Sequence, residues 1–124
     1  MSNGQIIVLV EDDEFLRRLY QTKLTQEGFE VKVAEDGERA VSLVQETIPA
    51  VVLLDVGLPK KDGFTVLAEL KANSATSSIP VVMLTNSHTQ ADVTRAQELG
   101  AAGYLIKAHF LPSEVVAKVK SLIK

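Results

Sequence analysis

Short apolar runs alternate with amphipathic stretches along the whole chain. Ile6-Ile7-Val8-Leu9-Val10, Val51-Val52-Leu53-Leu54, Val81-Val82-Met83-Leu84 and Tyr104-Leu105-Ile106 are nearly unbroken apolar segments, rich in β-branched residues. Such runs predict strands covered on both faces, as in a parallel sheet. Phe29-Glu30-Val31-Lys32-Val33 instead alternates apolar and charged residues, which is the pattern of an edge strand. Between these segments the apolar period changes to that of a helix. Phe15, Leu16, Leu19, Tyr20 and Leu24 form a first helical face, and Gly28 is placed to end it in a left-handed cap. Ala40, Val41, Val44 and Ile48 mark a second helix stopped by Pro49, and Phe64, Leu67, Ala68 and Leu70 a short third. Residues 91–99 read as a fourth helix with a thin apolar face, closed by Gly100. Val115, Val116, Val119, Leu122 and Ile123 make the last, with Pro112 near its first turn. Residues 73–78 read as a polar loop.

Five β-α units in succession imply a parallel sheet with right-handed crossovers and helices on both faces. With the amphipathic strand at an edge, the order 2-1-3-4-5 follows: a doubly wound α/β sheet in a three-layer sandwich with five helices, one domain over residues 1–124. In that order the switch point lies between strands one and three. A ligand is then expected outside their carboxyl ends.

Composition narrows the class. A hydrophobic fraction of 46% over 124 residues suits one globular domain, and with four Phe, two Tyr and no Trp the core must be mostly aliphatic. No Cys is present, which excludes disulfides and thiolate metal sites. The apolar runs are far too short to span a membrane. Met1-Ser2-Asn3-Gly4-Gln5 has neither the basic nor the apolar stretch of a secretory signal, so the cytoplasm is the expected compartment. Net charge is -3 and the longest basic run is Lys60-Lys61, an unpromising surface for nucleic acid.

The candidate chemistry sits where the topology places a ligand. Strand one runs into Glu11-Asp12-Asp13, strand three into Asp55, strand four into Thr85 and strand five into Lys107. Two carboxylates roughly 5 Å apart repel by about 3 kcal/mol at an effective dielectric near 20. Such a cluster holds a proton or binds a cation. All-oxygen donors with open positions suit a hard ion that keeps some of its waters, which points to Mg²⁺. With the metal cancelling charge on incoming phosphoryl oxygens, a carboxylate becomes a competent nucleophile, and a hydroxyl and an ammonium bind the remaining oxygens. Each residue alone has an ordinary reading: a turn or helix cap for the acids, a strand-end hydroxyl for Thr85, a solvated side chain for Lys107. Their joint placement on one end of the sheet is the signal. His88 and His109 stand isolated, without metal-ligand spacing.

Val10-Glu11-Asp12-Asp13, the segment Leu53-Leu54-Asp55-Val56-Gly57-Leu58-Pro59-Lys60-Lys61-Asp62-Gly63, Thr85, and Lys107 three residues after Tyr104 together resemble the response-regulator receiver domain over essentially the whole chain. The resemblance implies a flavodoxin-like fold and a signalling switch rather than a metabolic enzyme, one that catalyses its own phosphoryl transfer and dephosphorylation. It assigns Asp55 as phosphoacceptor. Asp12, Asp55 and the Gly57 carbonyl would hold Mg²⁺, with Glu11 acting through water. Lys107 would pair with the phosphoryl group, Thr85 would move toward it, and Tyr104 would turn inward. Either Glu11-Asp12 or Asp12-Asp13 reads as the acidic pair; the first keeps the family's distance to Asp55 and to Arg17-Arg18. The implied partners are a sensor histidine kinase or histidine phosphotransfer domain and a downstream effector protein. The fourth helix, fifth strand and fifth helix would form the output surface, which could also support a homodimer.

The sequence departs from the family's common pattern at Ala108, where Pro is frequent, and at Asn86, where a small residue is common. Gly57 and Ser87 flank the family's hydrolytic water path and bear on phosphoryl lifetime. Three other readings compete. A haloacid-dehalogenase-type phosphatase would want a second Asp where Gly57 stands. A flavodoxin-like electron carrier would want a Ser/Thr/Gly phosphate loop where Glu11-Asp12-Asp13-Glu14 stands. A receiver turned phosphorylation-independent interaction module would have no need of the acidic, hydroxyl and lysine set that is present.

Overall fold

The computed structural model describes residues 5–86, 89–107 and 112–123. Ser87, His88, Ala108 and His109, with the expectations attached to them, lie outside that range. Elements alternate as β1 (Ile6–Val10), α1 (Glu14–Gln26), β2 (Glu30–Ala34), α2 (Gly37–Thr47), β3 (Val51–Asp55), α3 (Gly63–Ala72), β4 (Val81–Thr85), α4 (Gln90–Glu98), β5 (Gly103–Ile106) and α5 (Pro112–Leu122). All pairings are parallel and the order is β2-β1-β3-β4-β5, as the alternation implied.

The unbroken apolar strands are explained by what lies on either side of them. Along β1, β3 and β4 successive residues go to opposite cores. Val8, Val10, Val52, Leu54, Val81 and Met83 pack with residues of α2 and α3. Ile7, Leu9, Val51, Leu53, Val82 and Leu84 pack with Tyr20 and Leu24 of α1 and Val115, Val116 and Val119 of α5. Burying one such aliphatic side chain contributes about 1.5–3 kcal/mol, so both faces of the sheet drive folding. At the edge, β2 begins one residue later than the pattern suggests. Phe29 precedes it and is buried with the second core, while Glu30 and Lys32 point outward and pair at 3.0 Å.

Helix starts are set by local capping. Asp13, Asp36, Asp62 and Thr89 each accept a hydrogen bond from the backbone N–H three residues on, at Leu16, Arg39, Thr65 and Asp92, which satisfies donors the helix cannot. The segment 73–78 is more than a polar loop. Its Thr76 is fully buried and donates to the carbonyl of Leu70 at 2.6 Å, and Lys71 Nζ donates to the carbonyls of Ser77 and Ile79.

Three residues read as apolar helix face turn out exposed: Phe15, Leu19 and Ile48. Phe15, in the first turn of α1, is 73% exposed. Ile48 lies beyond α2 as its C-cap, 51% exposed and with φ 44°, the left-handed conformation in which many helices end. A β-branched residue in the left-handed region costs about 1–2 kcal/mol, and here little packing offsets it. Ile48→Asn should therefore raise stability by about 1 kcal/mol, read as a higher urea midpoint at unchanged slope; an unchanged or lower midpoint would contradict the strain.

Candidate functional site

Strand register brings the sequence candidates together. Val10 pairs with Leu54 and Asp55 with Leu84, so Glu11 and Asp55 emerge side by side and Thr85 one step further along. Thr85 in turn pairs with Ile106, which puts Lys107 next to it at the strand end. A cleft of about 450 Å³ opens there, lined by Glu11, Asp12, Asp13, Asp55, Gly57, Thr85, Asn86 and Lys107 among others. It lies at the switch point between β1 and β3.

The charges inside are tightly drawn. Oxygens of Glu11, Asp12 and Asp55 lie within 4.8 Å of one another. Glu11 is fully buried and Asp55 nearly so, whereas Asp12 is exposed at the mouth. Lys107 Nζ stands 2.6 Å from Glu11 Oε1 and 3.2 Å from Asp55 Oδ2. Glu11 Oε1 has no aligned hydrogen bond, so the ammonium is its compensation. Glu11 Oε2 accepts from the Asp13 N–H at 3.2 Å, and Asp55 Oδ1 from the Gly57 N–H at 3.3 Å. Arg17, half-buried on α1, donates to the Glu11 carbonyl at 3.1 Å and so fixes the turn that carries the acids.

Burial raises the Glu11 carboxyl from 4.5 to about 7; the neighbouring Asp55 charge adds to this and Lys107 opposes it. Burial alone would lower Lys107, but Glu11 and Asp55 together hold it above its ordinary value. The sign for stability follows. Between pH 4.5 and 7 the folded state keeps a proton on Glu11 that the unfolded chain has released, so stability falls as pH rises through that window. In EDTA, Glu11 should cost the fold on the order of 2–3 kcal/mol between pH 5 and 7.5. Urea unfolding at the two values checks this, and Glu11→Gln should flatten the dependence. Equal slopes for wild type and variant would rule it out. Added Mg²⁺ should recover the loss at pH 7.5 by binding the native state.

Some of the surrounding geometry comes from contacts that the sequence does not display. Gly63 packs so close to the chain leaving β3 that a Cβ there would sit 2.4 Å from the Asp55 carbonyl oxygen. Asp62-Gly63, readable as a turn, is the capped start of α3. By contrast, a Cβ at Gly57 would meet nothing within 4 Å, so that position is open toward the cleft. Tyr104 is half-buried against the α2–α3 core. On α4 only Ala96 is buried, and Arg95 stacks 4.4 Å over the Phe64 ring of α3. Lys60 and Lys61 are not a free basic pair; they face Asp36 at 3.7 Å and Glu69 at 2.7 Å.

Known proteins share the sequence pattern and the fold. The sequence profile described as "Response regulator receiver domain" matches residues 7–120. The probable transcriptional regulator ycf27 of Cyanophora paradoxa is 40% identical over 122 residues, covering 98% of this chain and 49% of its own. The chain thus spans about half the length of the curated relatives it matches. Among solved structures, the chemotaxis protein CheY4 of Vibrio cholerae superposes with a TM-score of 0.89 at 25% identity, covering 97% of this chain and 99% of its own. The Mn²⁺-bound form of response regulator Rcp1 superposes with 0.81 at 38% identity, covering 96% and 91%. Profile, relatives and fold converge along nearly the full sequence, and the chain belongs to the response-regulator receiver domains of two-component signalling.

Proposed function

We propose that Asp55 accepts a phosphoryl group in the presence of Mg²⁺ and that the modification changes the surface formed by α4, β5 and α5. The observation that carries this is the convergence of Glu11, Asp12 and Asp55 oxygens within 4.8 Å, with Lys107 against two of them. The donor set fits a hard divalent ion: all oxygen, partly buried, open at Asp12 and Gly57. Asp12, Asp55 and the Gly57 carbonyl would hold it, with Glu11 through water; the Mn²⁺ in the Rcp1 structure shows a related receiver with a divalent ion. When bound, the metal neutralises charge on the transferring phosphoryl oxygens.

The chain's own groups do the rest. An Asp55 oxygen attacks phosphorus of a phosphohistidine on a sensor kinase or phosphotransfer domain. The phosphorus–nitrogen bond breaks and the imidazole keeps the electron pair. Lys107 is released from Asp55 to pair with the new dianion, and Thr85, buried at the end of β4, donates to it. Tyr104 and the lightly anchored α4 follow Thr85, shifting the population toward a surface read by a downstream effector or by a second copy. Later hydrolysis of the acyl phosphate in the same cleft resets the domain. In this role the protein would work in the cytoplasm, alongside the kinase's phosphohistidine.

The test is intact-mass analysis after incubation with acetyl phosphate, with and without Mg²⁺, followed by peptide mapping. A metal-dependent gain of one phosphoryl mass on the peptide carrying Asp55 is expected. Modification elsewhere, or none with either acetyl phosphate or a phosphorylated histidine domain, would sink the reading.

A further inference from the structure

The loop that leaves Asp55 is held from outside by the first turn of α2. Within the loop, the backbone bonds to itself. Leu58 N–H and Gly63 N–H both donate to the Val56 carbonyl, at 3.1 and 2.8 Å, and Lys61 N–H donates to the Pro59 carbonyl at 2.7 Å. The last bond closes a γ-turn around Lys60, whose φ is 67°, a form that is rare and strained. Leu58 anchors the middle of the loop in the α2–α3 core, and the stretch beyond it, Pro59 to Lys61, is set by what packs against it.

Gly37 supplies that contact. Its N–H donates to the Pro59 carbonyl at 3.3 Å, and a Cβ on it would lie 1.9 Å from the Lys61 carbonyl oxygen and 2.6 Å from Lys61 Cβ. The two backbones touch with no room for a methyl group. Gly37 is the first residue of α2, with a capping aspartate before it, so its backbone does not itself call for glycine. Alanine there would favour the helix. Asp36, the cap, also faces Lys60 Nζ at 3.7 Å. The absent side chain is therefore explained by the loop rather than by the helix.

We infer that Gly37 is a positioning residue: by seating α2 against Pro59–Lys61 it sets where the Gly57 carbonyl stands over the cleft, and through it the affinity for Mg²⁺. This rests on the reading that Gly57 is a metal ligand. A Cβ at Gly37 must push the Lys61 carbonyl away, because backbone on both sides leaves no flexible group to yield. The displacement passes along the γ-turn to Leu58 and Gly57.

The experiment compares Gly37→Ala with Leu43→Ala, which weakens the buried face of α2 at a position away from the Gly37–Lys61 backbone contact. Amide spectra of the ¹⁵N-labelled, metal-free proteins and calorimetric titration with MgCl₂ are recorded for both. Gly37→Ala should displace the Gly57, Leu58 and Lys61 amides and weaken Mg²⁺ binding about tenfold. The Mg²⁺ concentration for half-maximal phosphorylation should rise by the same factor, and the rate at saturating metal should stay within about twofold of wild type. Leu43→Ala should lower the melting temperature yet leave the Gly57 amide and Mg²⁺ affinity in place. An unmoved Gly57 amide with unchanged affinity in Gly37→Ala would overturn the inference, as would equal weakening in Leu43→Ala. If Gly37→Ala does not fold, Asp36→Ala loosens the same turn and should weaken Mg²⁺ about threefold; unchanged affinity there overturns the inference too. Should the wild-type protein bind no Mg²⁺, the metal-ligand reading fails, while the metal-free spectra still decide whether Gly37 sets the loop.

Discussion

Asp55→Asn is expected to abolish phosphoryl uptake altogether while leaving the fold standing. An amide oxygen is a poor nucleophile and carries no charge for a metal, so both the chemistry and the metal's hold on the cleft weaken together. The shape, however, is conserved. An Asn oxygen still accepts from the Gly57 N–H, as Asp55 Oδ1 does at 3.3 Å, and Lys107 keeps Glu11 as its ion-pair partner at 2.6 Å. Stability should therefore change by no more than about 1 kcal/mol in EDTA, measured by urea unfolding. Intact mass after acetyl phosphate and Mg²⁺ should show the unmodified chain alone. Residual Mg²⁺-dependent modification in this variant would move the acceptor to another residue. Collapse of the fold would mean that Asp55 is chiefly structural.

Lys107→Met separates two functions of one ammonium. In the resting domain Lys107 compensates two carboxylates that have little or no contact with solvent. Removing one side of a buried ion pair typically costs about 3–5 kcal/mol. Uptake of a proton by Glu11, already raised to about 7, softens the loss, so about 3 kcal/mol is expected in EDTA at pH 8 and less at pH 5. Mg²⁺ should restore much of it by taking over the carboxylates. The second function is catalytic. Loss of a positioned cation on the transferring group should slow phosphorylation about 100-fold even with Mg²⁺ saturating. A variant that is as stable as wild type at pH 8 would mean that the two carboxylates are not both charged there. A variant phosphorylated at the normal rate would remove Lys107 from the transfer step.

Much of this was legible in the sequence because strand-end positions are governed by local pattern. The apolar runs end at Val10, Leu54, Leu84 and Ile106, and parallel pairing brings Glu11 level with Asp55, with Thr85 one step further along and Lys107 one step beyond that. Once the charged, alternating segment is placed at an edge, the strand order and the cleft follow. What was not legible depends on contacts between distant segments. Nothing local says that Gly37 packs against Lys61, that Arg17 holds the Glu11 carbonyl, or that Thr76 in a polar stretch is sealed under α3. Periodicity also over-reached at both ends of helices. Phe15 fits the spacing of α1 but is exposed in its first turn, and Ile48 fits that of α2 but lies beyond it as a left-handed cap.

The two margins of the sheet differ in a way that bears on how the protein fails. β2 presents the Glu30–Lys32 pair outward, and a strand docking there would have to strip water from both charges. β5, the opposite margin, is Gly103-Tyr104-Leu105-Ile106 and carries no charge. Natural sheets resist open-ended growth with charged edges of the first kind. Aggregation seeded by partial unfolding should therefore be one-sided, starting from the β5 margin when the flanking helices loosen, with β2 acting as the blunt end that stops it.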